Sequence, residues 1–190
     1  MFTTELEKMI PHMRAYARML CRNRDMADDV VQNACLKAWD ARDRFDPTRG
    51  SFKAWIFTIT RNEFLQLVRK QRPVDYYAPE DFETRLIQDC ELERRNDCSD
   101  AINQLFQLNR EQRDVFILVV AVGYSYEEAA KICGCSVGTI KSRINRARAK
   151  LTEMRSEEAE TMDPKGTGHM SFHDVQDILG YVEDLVQNAA

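Results

Sequence analysis

The chain has 190 residues, 44% of them hydrophobic, and a formal net charge of −4 at pH 7, a length that allows one ordinary domain or two small ones. Only 7 Gly and 5 Pro, with few β-branched runs, favour helix over strand. No run approaches the ~18 consecutive apolar residues of a spanning helix, and the opening MFTTELEKMI is too acidic and amphipathic for a secretory signal, so no membrane association is expected and the location is expected to be cytoplasmic.

In chain order, Thr4 with Glu7 has the form of a capping box that opens a helix running to about Cys21. Asp25 is the expected cap of a second helix, in which Val30, Val31, Ala34, Ala38 and Trp39 recur at helical spacing. RFDPTRGS, with Pro47 and Gly50, stops it in a loop. Ser51 caps a third helix, with Phe52, Trp55, Ile56, Ile59 and Leu65 expected on its buried side. That helix ends in the basic RKQR (69–72), and Pro73 lies just beyond. Residues 73–96 are acidic and lack an apolar stripe, so they read as a linker, with at most a helical turn near 82–93.

Stop and start signals are denser after the linker. Ile102 and Leu105 mark one helix, and Asn109 with Gln112 caps another that packs through Val115, Phe116, Leu118 and Val119 and ends at Gly123. Ser125 and Glu128 form a capping box for a short helix containing Ala129, Ala130 and Ile132. Gly134 breaks it and Ser136 caps the next, where Val137, Ile140, Ile144, Ala147 and Leu151 form one apolar stripe. Two short helices joined by a tight glycine turn are a helix-turn-helix. The other faces of the second helix carry Lys141, Ser142, Arg143, Asn145, Arg146 and Arg148 with no acidic residue among them. Such a helix suits the major groove, with early residues at base edges and later Arg and Lys on phosphates.

The net charge conceals an alternation. Residues 1–74 hold 14 Lys/Arg against 9 Asp/Glu, 75–100 hold 3 against 9, 101–152 hold 8 against 4, and 153–190 hold 2 against 9. Two basic blocks alternating with two acidic ones read as two anion-binding modules, a linker and a tail. The six cysteines contain no C-x-x-C pair, and His12, His169 and His173 have no ligand-like spacing to them. Reduced, mostly buried thiols are expected, including Cys133 and Cys135, with no metal and no cofactor.

LNREQRDVFILVVAVGYSYEEAAKICGCSVGTIKSRINRARAKL (108–151) resembles the C-terminal promoter-binding domain, region 4, of the bacterial extracytoplasmic-function (ECF) sigma factors. DMADDVVQNACLKAWDARDRF followed by GSFKAWIFTITRNEFLQLVRKQR resembles their region 2. The run ICGCSVGTIKSRINRARAKL looks most like the EcfG-type general stress subgroup. The resemblance implies an all-α chain: region 2 as a three-to-four-helix bundle over 1–74, an acidic linker over 75–98, and a region 4 helix-turn-helix over 99–153. A tail follows over 154–190.

It further implies a transcription initiation factor rather than an enzyme, with RNA polymerase core (the β′ coiled coil and the β flap), promoter DNA and an anti-sigma factor, NepR-like for this subgroup, as partners. Asp28, Asp29, Gln32 and Trp39 would face the polymerase; Asn33 stands where the family usually has Glu. The loop 43–51 and the third helix would meet the −10 element, melt it and hold a flipped base. Phe45 would stand at the loop entrance, Asn62 would be the polar pocket residue, and Arg61, Arg69, Lys70 and Arg72 would bind phosphate. Trp55, among apolar neighbours, reads as core. Region 4 would read the −35 element, with Ser142, Arg143 and Arg146 toward the groove and Lys141 on the backbone.

SEEAETMDPKGTGHM reads as flexible, and Ser171 with Asp174 as the cap of an amphipathic helix over 172–187. That helix is either a native segment docking on a sigma domain or, with GTGHM as a junction, an appended one. Two rival functions stay open: a sigma-like decoy that sequesters an anti-sigma factor, and a plain helix-turn-helix regulator, which would leave the Trp39–Trp55 module unexplained.

Overall fold

The computed structural model describes residues 2–21, 23–71 and 99–162. The chain divides into two compact units, whose described parts are 2–71 and 99–162. The linker expected at 75–98, Arg72 and the tail helix expected at 172–187 lie outside the described residues. Among the described residues there is no strand.

The first unit packs three helices against one another: α1 (Phe2–Cys21), α2 (Arg24–Asp40) and α3 (Phe52–Gln71), with a 3₁₀ turn at Arg42–Arg44. Met13, Tyr16 and Leu20 of α1 meet Val30, Ala34 and Ala38 of α2 and Ile56, Phe57 and Phe64 of α3 in the core. The Tyr16 and Phe57 rings lie 5.0 Å apart.

Three local expectations are corrected. Helix α1 begins at Phe2, so Thr4 lies inside it rather than at its cap; the first turn is held by the Phe2 ring, which packs edge-on against Phe52 at 5.4 Å and Trp39 at 6.1 Å. Helix α2 is capped by Asn23, whose side chain accepts from the Met26 N–H at 2.9 Å, while Asp25 sits in the first turn. The buried side of α3 is Ile56, Phe57, Thr60, Glu63, Phe64 and Val68, whereas Phe52, Trp55, Ile59 and Leu65 are half-buried. Aromatic and aliphatic residues occur on both strips of this helix, so spacing alone picked the neighbouring strip. Ser51 does cap α3: its Oγ accepts from the Ala54 N–H at 3.2 Å.

The second unit contains α4 (Ser99–Gln107), α5 (Arg110–Phe116), a π turn (Ile117–Ala121), α6 (Tyr126–Cys133) and α7 (Val137–Met162). Asn109 caps α5 by accepting from the Gln112 N–H at 2.9 Å. Buried Arg113 donates to the Leu108 carbonyl at 3.1 Å and lies 4.9 Å over the Phe106 ring, tying α5 to the end of α4. The capping box is present in full: Ser125 Oγ accepts from the Glu128 N–H at 3.2 Å, and the Glu128 carboxylate accepts from the Ser125 N–H at 2.9 Å. Ser136 Oγ accepts from the Thr139 N–H at 3.1 Å at the head of α7. Ile140, Ile144, Ala147 and Leu151 are buried and Val137 half-buried, which seats α7 on α5 and α6. Helix α7 runs on past 153 to Met162, into the segment read as flexible.

The turn between α6 and α7 depends on Gly134, at φ +65. An added Cβ there would meet nothing within 4 Å, so the penalty of a side chain is conformational alone. Gly134→Val is expected to cost about 1–2 kcal/mol, read as a lower urea midpoint with an unchanged slope.

Candidate nucleic-acid interface

In the second unit the buried stripe of α7 fixes which side chains reach solvent. Lys141, Asn145, Arg146, Arg148 and Lys150 are exposed. Ser142 and Asn145 lie opposite the stripe with Gly138 and Ala149, so the helix has a narrow face between its cations, open to close approach. Ser142 Oγ donates to the Thr139 carbonyl at 2.9 Å. Arg143 differs from its neighbours: its side chain is only 20% exposed, its guanidinium pairs with the Glu111 carboxylate of α5, and Nη1 lies 3.9 Å from Cys135 Sγ. It stands on the flank of the helix, engaged with the protein's own acid, and nothing in its spacing signalled Glu111 as a partner.

In the first unit the half-buried strip of α3 becomes informative. Trp55, Ile59, Asn62 and Gln66, at i, i+4, i+7 and i+11, line a cavity of about 430 Å³ with Glu63 beside them and Lys37 and Arg44 from α2 and the 3₁₀ turn. Trp55 is therefore a cavity wall and not a core residue. Asn62 is exposed into this space. Phe45 does not line it; its ring packs on Trp55 at 5.2 Å and on Phe52 at 5.3 Å, behind the wall. Phe2, Phe45, Phe52 and Trp55 thus form one ring cluster, with Trp39 at its edge.

The loop that carries Phe45 is braced. Asp46 Oδ1 accepts from the Thr48 hydroxyl at 2.7 Å and the Thr48 N–H at 2.9 Å. Those bonds, the hydroxyl's foremost, hold its carboxyl below the usual carboxylate range. Arg69 and Lys70 are exposed at the end of α3, and Arg61 is half-buried.

The outer side of α2 carries exposed Asp29, Gln32 and Trp39, with half-buried Asp28 lying 3.9 Å from Arg14 Nε. Trp39 is 46% exposed, and the Arg42 guanidinium stacks 5.1 Å over its ring. Leu36, 60% exposed between Gln32 and Trp39, completes the surface and was not singled out from the sequence. An exposed leucine beside an exposed tryptophan is an apolar patch on a helix whose other side is already core. Of the described cysteines, Cys21 is buried and Cys35, Cys133 and Cys135 half-buried; burial pushes the Cys35 thiol up, against the pull of Arg14. No cluster of metal-ligating side chains occurs among the described residues.

The comparisons with known proteins agree with this arrangement. Residues 6–74 match the Sigma-70 region 2 family model and residues 101–151 match Sigma-70, region 4. The chain is 42% identical over 145 residues to the ECF RNA polymerase sigma factor EcfG of Rhodopseudomonas palustris, covering 76% of this chain and 80% of that protein. It is 34% identical over 148 residues to the RNA polymerase sigma factor CnrH of Cupriavidus metallidurans, covering 70% and 75%. Among solved structures, the sigma factor RpoE in complex with the anti-sigma factor NepR from Bartonella quintana superposes with a TM-score of 0.65 at 37% identity, covering 82% of this chain and 96% of that one. Two cationic helical units, each matched to its own region and in the same order, place the chain in one family: it belongs to the extracytoplasmic-function sigma factors of the sigma-70 family.

Proposed function

We propose that this chain directs RNA polymerase core to promoters by gripping DNA at two places and adds no chemistry of its own. The observation that carries the reading is the pairing of two surfaces in one chain: the exposed cations of α7, and the cavity that joins Asn62 to the Trp55 wall. In the second unit Ser142, Asn145 and Arg146 read base edges of the −35 element while Lys141 and Arg148 bind phosphate. Arg143 contributes by fixing the flank of α7 against Glu111 and reaches DNA only by leaving that pair.

In the first unit the cavity holds a base extruded from the −10 element. An aromatic wall supplies stacking and a polar residue supplies hydrogen bonds, as a flipped base requires. Phe45 acts from behind, steadying Trp55. Arg61, Arg69, Lys70 and Arg72 follow the backbone of the separating strands. The α2 surface of Asp28, Asp29, Gln32, Leu36 and Trp39 meets the β′ coiled coil, its carboxylates suited to a basic helical partner, and the second unit meets the β flap. A NepR-like anti-sigma factor covers these surfaces in the resting cytoplasm; the RpoE relative was solved with NepR.

Run-off transcription with core polymerase tests the reading. Synthesis from a defined start, present only when the chain is added, is the expected result. Binding of an anti-sigma factor without any initiation would establish a decoy instead, and DNA binding that ignores core polymerase would establish a plain regulator.

A further inference from the structure

Beside Asn62, the cavity is lined by two carboxylates, exposed Asp40 of α2 and Glu63 of α3, a charge that a DNA-facing pocket would ordinarily avoid. Glu63 is 8% exposed and lines the cavity from α3. Its Oε1 accepts from Lys37 Nζ of α2 at 2.5 Å, and the same ammonium donates to Gln66 Oε1 at 3.1 Å. The three polar groups are thus one array spanning α2 and α3. A lone carboxylate would repel the phosphates on either side of an extruded base; paired with Lys37 it is locally neutral. Only the Glu63 end of the pair is buried, the Lys37 side chain being 49% exposed, so the pair is weak evidence for a stability role. Its chemical peculiarity is direction: a carboxylate only accepts hydrogen bonds. Lys37 occupies one oxygen and leaves the other as an acceptor on a residue that lines the cavity together with Asn62.

We infer that Glu63, oriented by Lys37, is a specificity determinant of this cavity and selects an extruded base bearing an exocyclic amino group, cytosine or adenine, over one presenting a keto oxygen. The inference rests on the flipped-base reading above and adds to it the chemical class of the base. An amino group donates to the carboxylate; a keto oxygen in the same place sets lone pair against lone pair and loses about tenfold in affinity.

The test uses holoenzyme assembled from the full chain and core polymerase, on promoters whose −10 non-template strand is unpaired. An abasic scan of that strand first locates the extruded position. A scan in which no position matters would defeat the pocket reading itself, independently of Glu63. At the position found, cytosine is compared with uracil and adenine with hypoxanthine, pairs that exchange amino for keto and turn the adjacent ring nitrogen from acceptor to donor; 2-pyrimidinone and purine, which lose the amino group alone, separate the two changes.

Wild-type holoenzyme is expected to prefer each amino base by about tenfold. With Glu63→Gln, whose amide both donates and accepts, each preference is expected to fall to within about twofold. Thermal melting of the variant checks that the unit is folded. The proposal is overturned if wild type does not distinguish the pairs, or if a folded Glu63→Gln protein keeps the preference. It is overturned equally if the variant loses affinity for all four bases alike, the signature of a bridge that merely joins two helices.

Discussion

Alanine at Phe57 is expected to destabilise the first unit by about 3–5 kcal/mol. The ring is 1% exposed and packs at 5.0 Å, tilted, against Tyr16, so its removal leaves a void between α1 and α3. A unit of this size has a total stability of about 4–10 kcal/mol, and the variant should be largely unfolded at modest urea. The informative control is Ile59→Ala, two positions along the same helix. Ile59 is half-buried and faces the cavity, and its truncation is expected to cost about 1 kcal/mol. Equal losses at the two positions would show that Ile59 is as much a part of the core as Phe57, and a larger loss at Ile59 that the two strips of α3 are exchanged. The same pair separates stability from function: Ile59→Ala should retain fold while weakening open-complex formation, because it roughens the wall beside Trp55.

Arg146→Ala is expected to reduce run-off transcription from a −35-dependent promoter by about 10- to 100-fold, equivalent to 1–3 kcal/mol of lost base contact, and to relax discrimination at one base pair. Arg146 is exposed and turned away from the Ile140, Ile144, Ala147 stripe, so the substitution leaves the core untouched. Lys141→Ala is the contrast. A phosphate contact carries no sequence information, and its loss should weaken all promoters about equally and lower the salt slope by about 1. The distinction is read from binding measured across salt concentrations on matched and mismatched −35 sequences. If Arg146→Ala weakened every sequence equally, α7 would be a phosphate clamp rather than a reader.

Capping, as local chemistry, was legible at four helix starts and missed at two, Thr4 and Asp25. Asn109, Ser125, Ser51 and Ser136 all cap the helices that their spacing indicated, and Gly134 breaks α6 where expected. The α7 stripe was equally legible, since its polar faces contain no apolar residue larger than alanine between Ile140 and Leu151 except the stripe itself. Helix α3 was not. Its apolar residues occupy more than one face, and which face becomes core is decided by α1 and α2, information absent from the helix's own sequence.

The same blindness hid the site. Lys37 and Glu63 are 26 positions apart, and only packing brings them to 2.5 Å. Glu111 and Arg143, 32 apart, were invisible for the same reason. Phe2 looked like a residue outside the first helix and is instead part of the ring cluster, because tertiary contact extended the helix beyond its apparent capping box.

The π turn at Ile117–Ala121 has a consequence for how the second unit tolerates change in length. Val122 donates to the carbonyl of Ile117, five positions back, at 2.9 Å; this is the wider i→i+5 loop that arises when one residue is accommodated within an α-helix. The unit thus carries a slack link just ahead of Gly123. Deleting a single residue between 117 and 121 should be absorbed by tightening that link to ordinary α geometry, whereas deleting one residue of α7 between Ile140 and Ser142 should rotate Ser142 and Arg146 away from the face opposite the stripe, an expected loss of −35-dependent transcription.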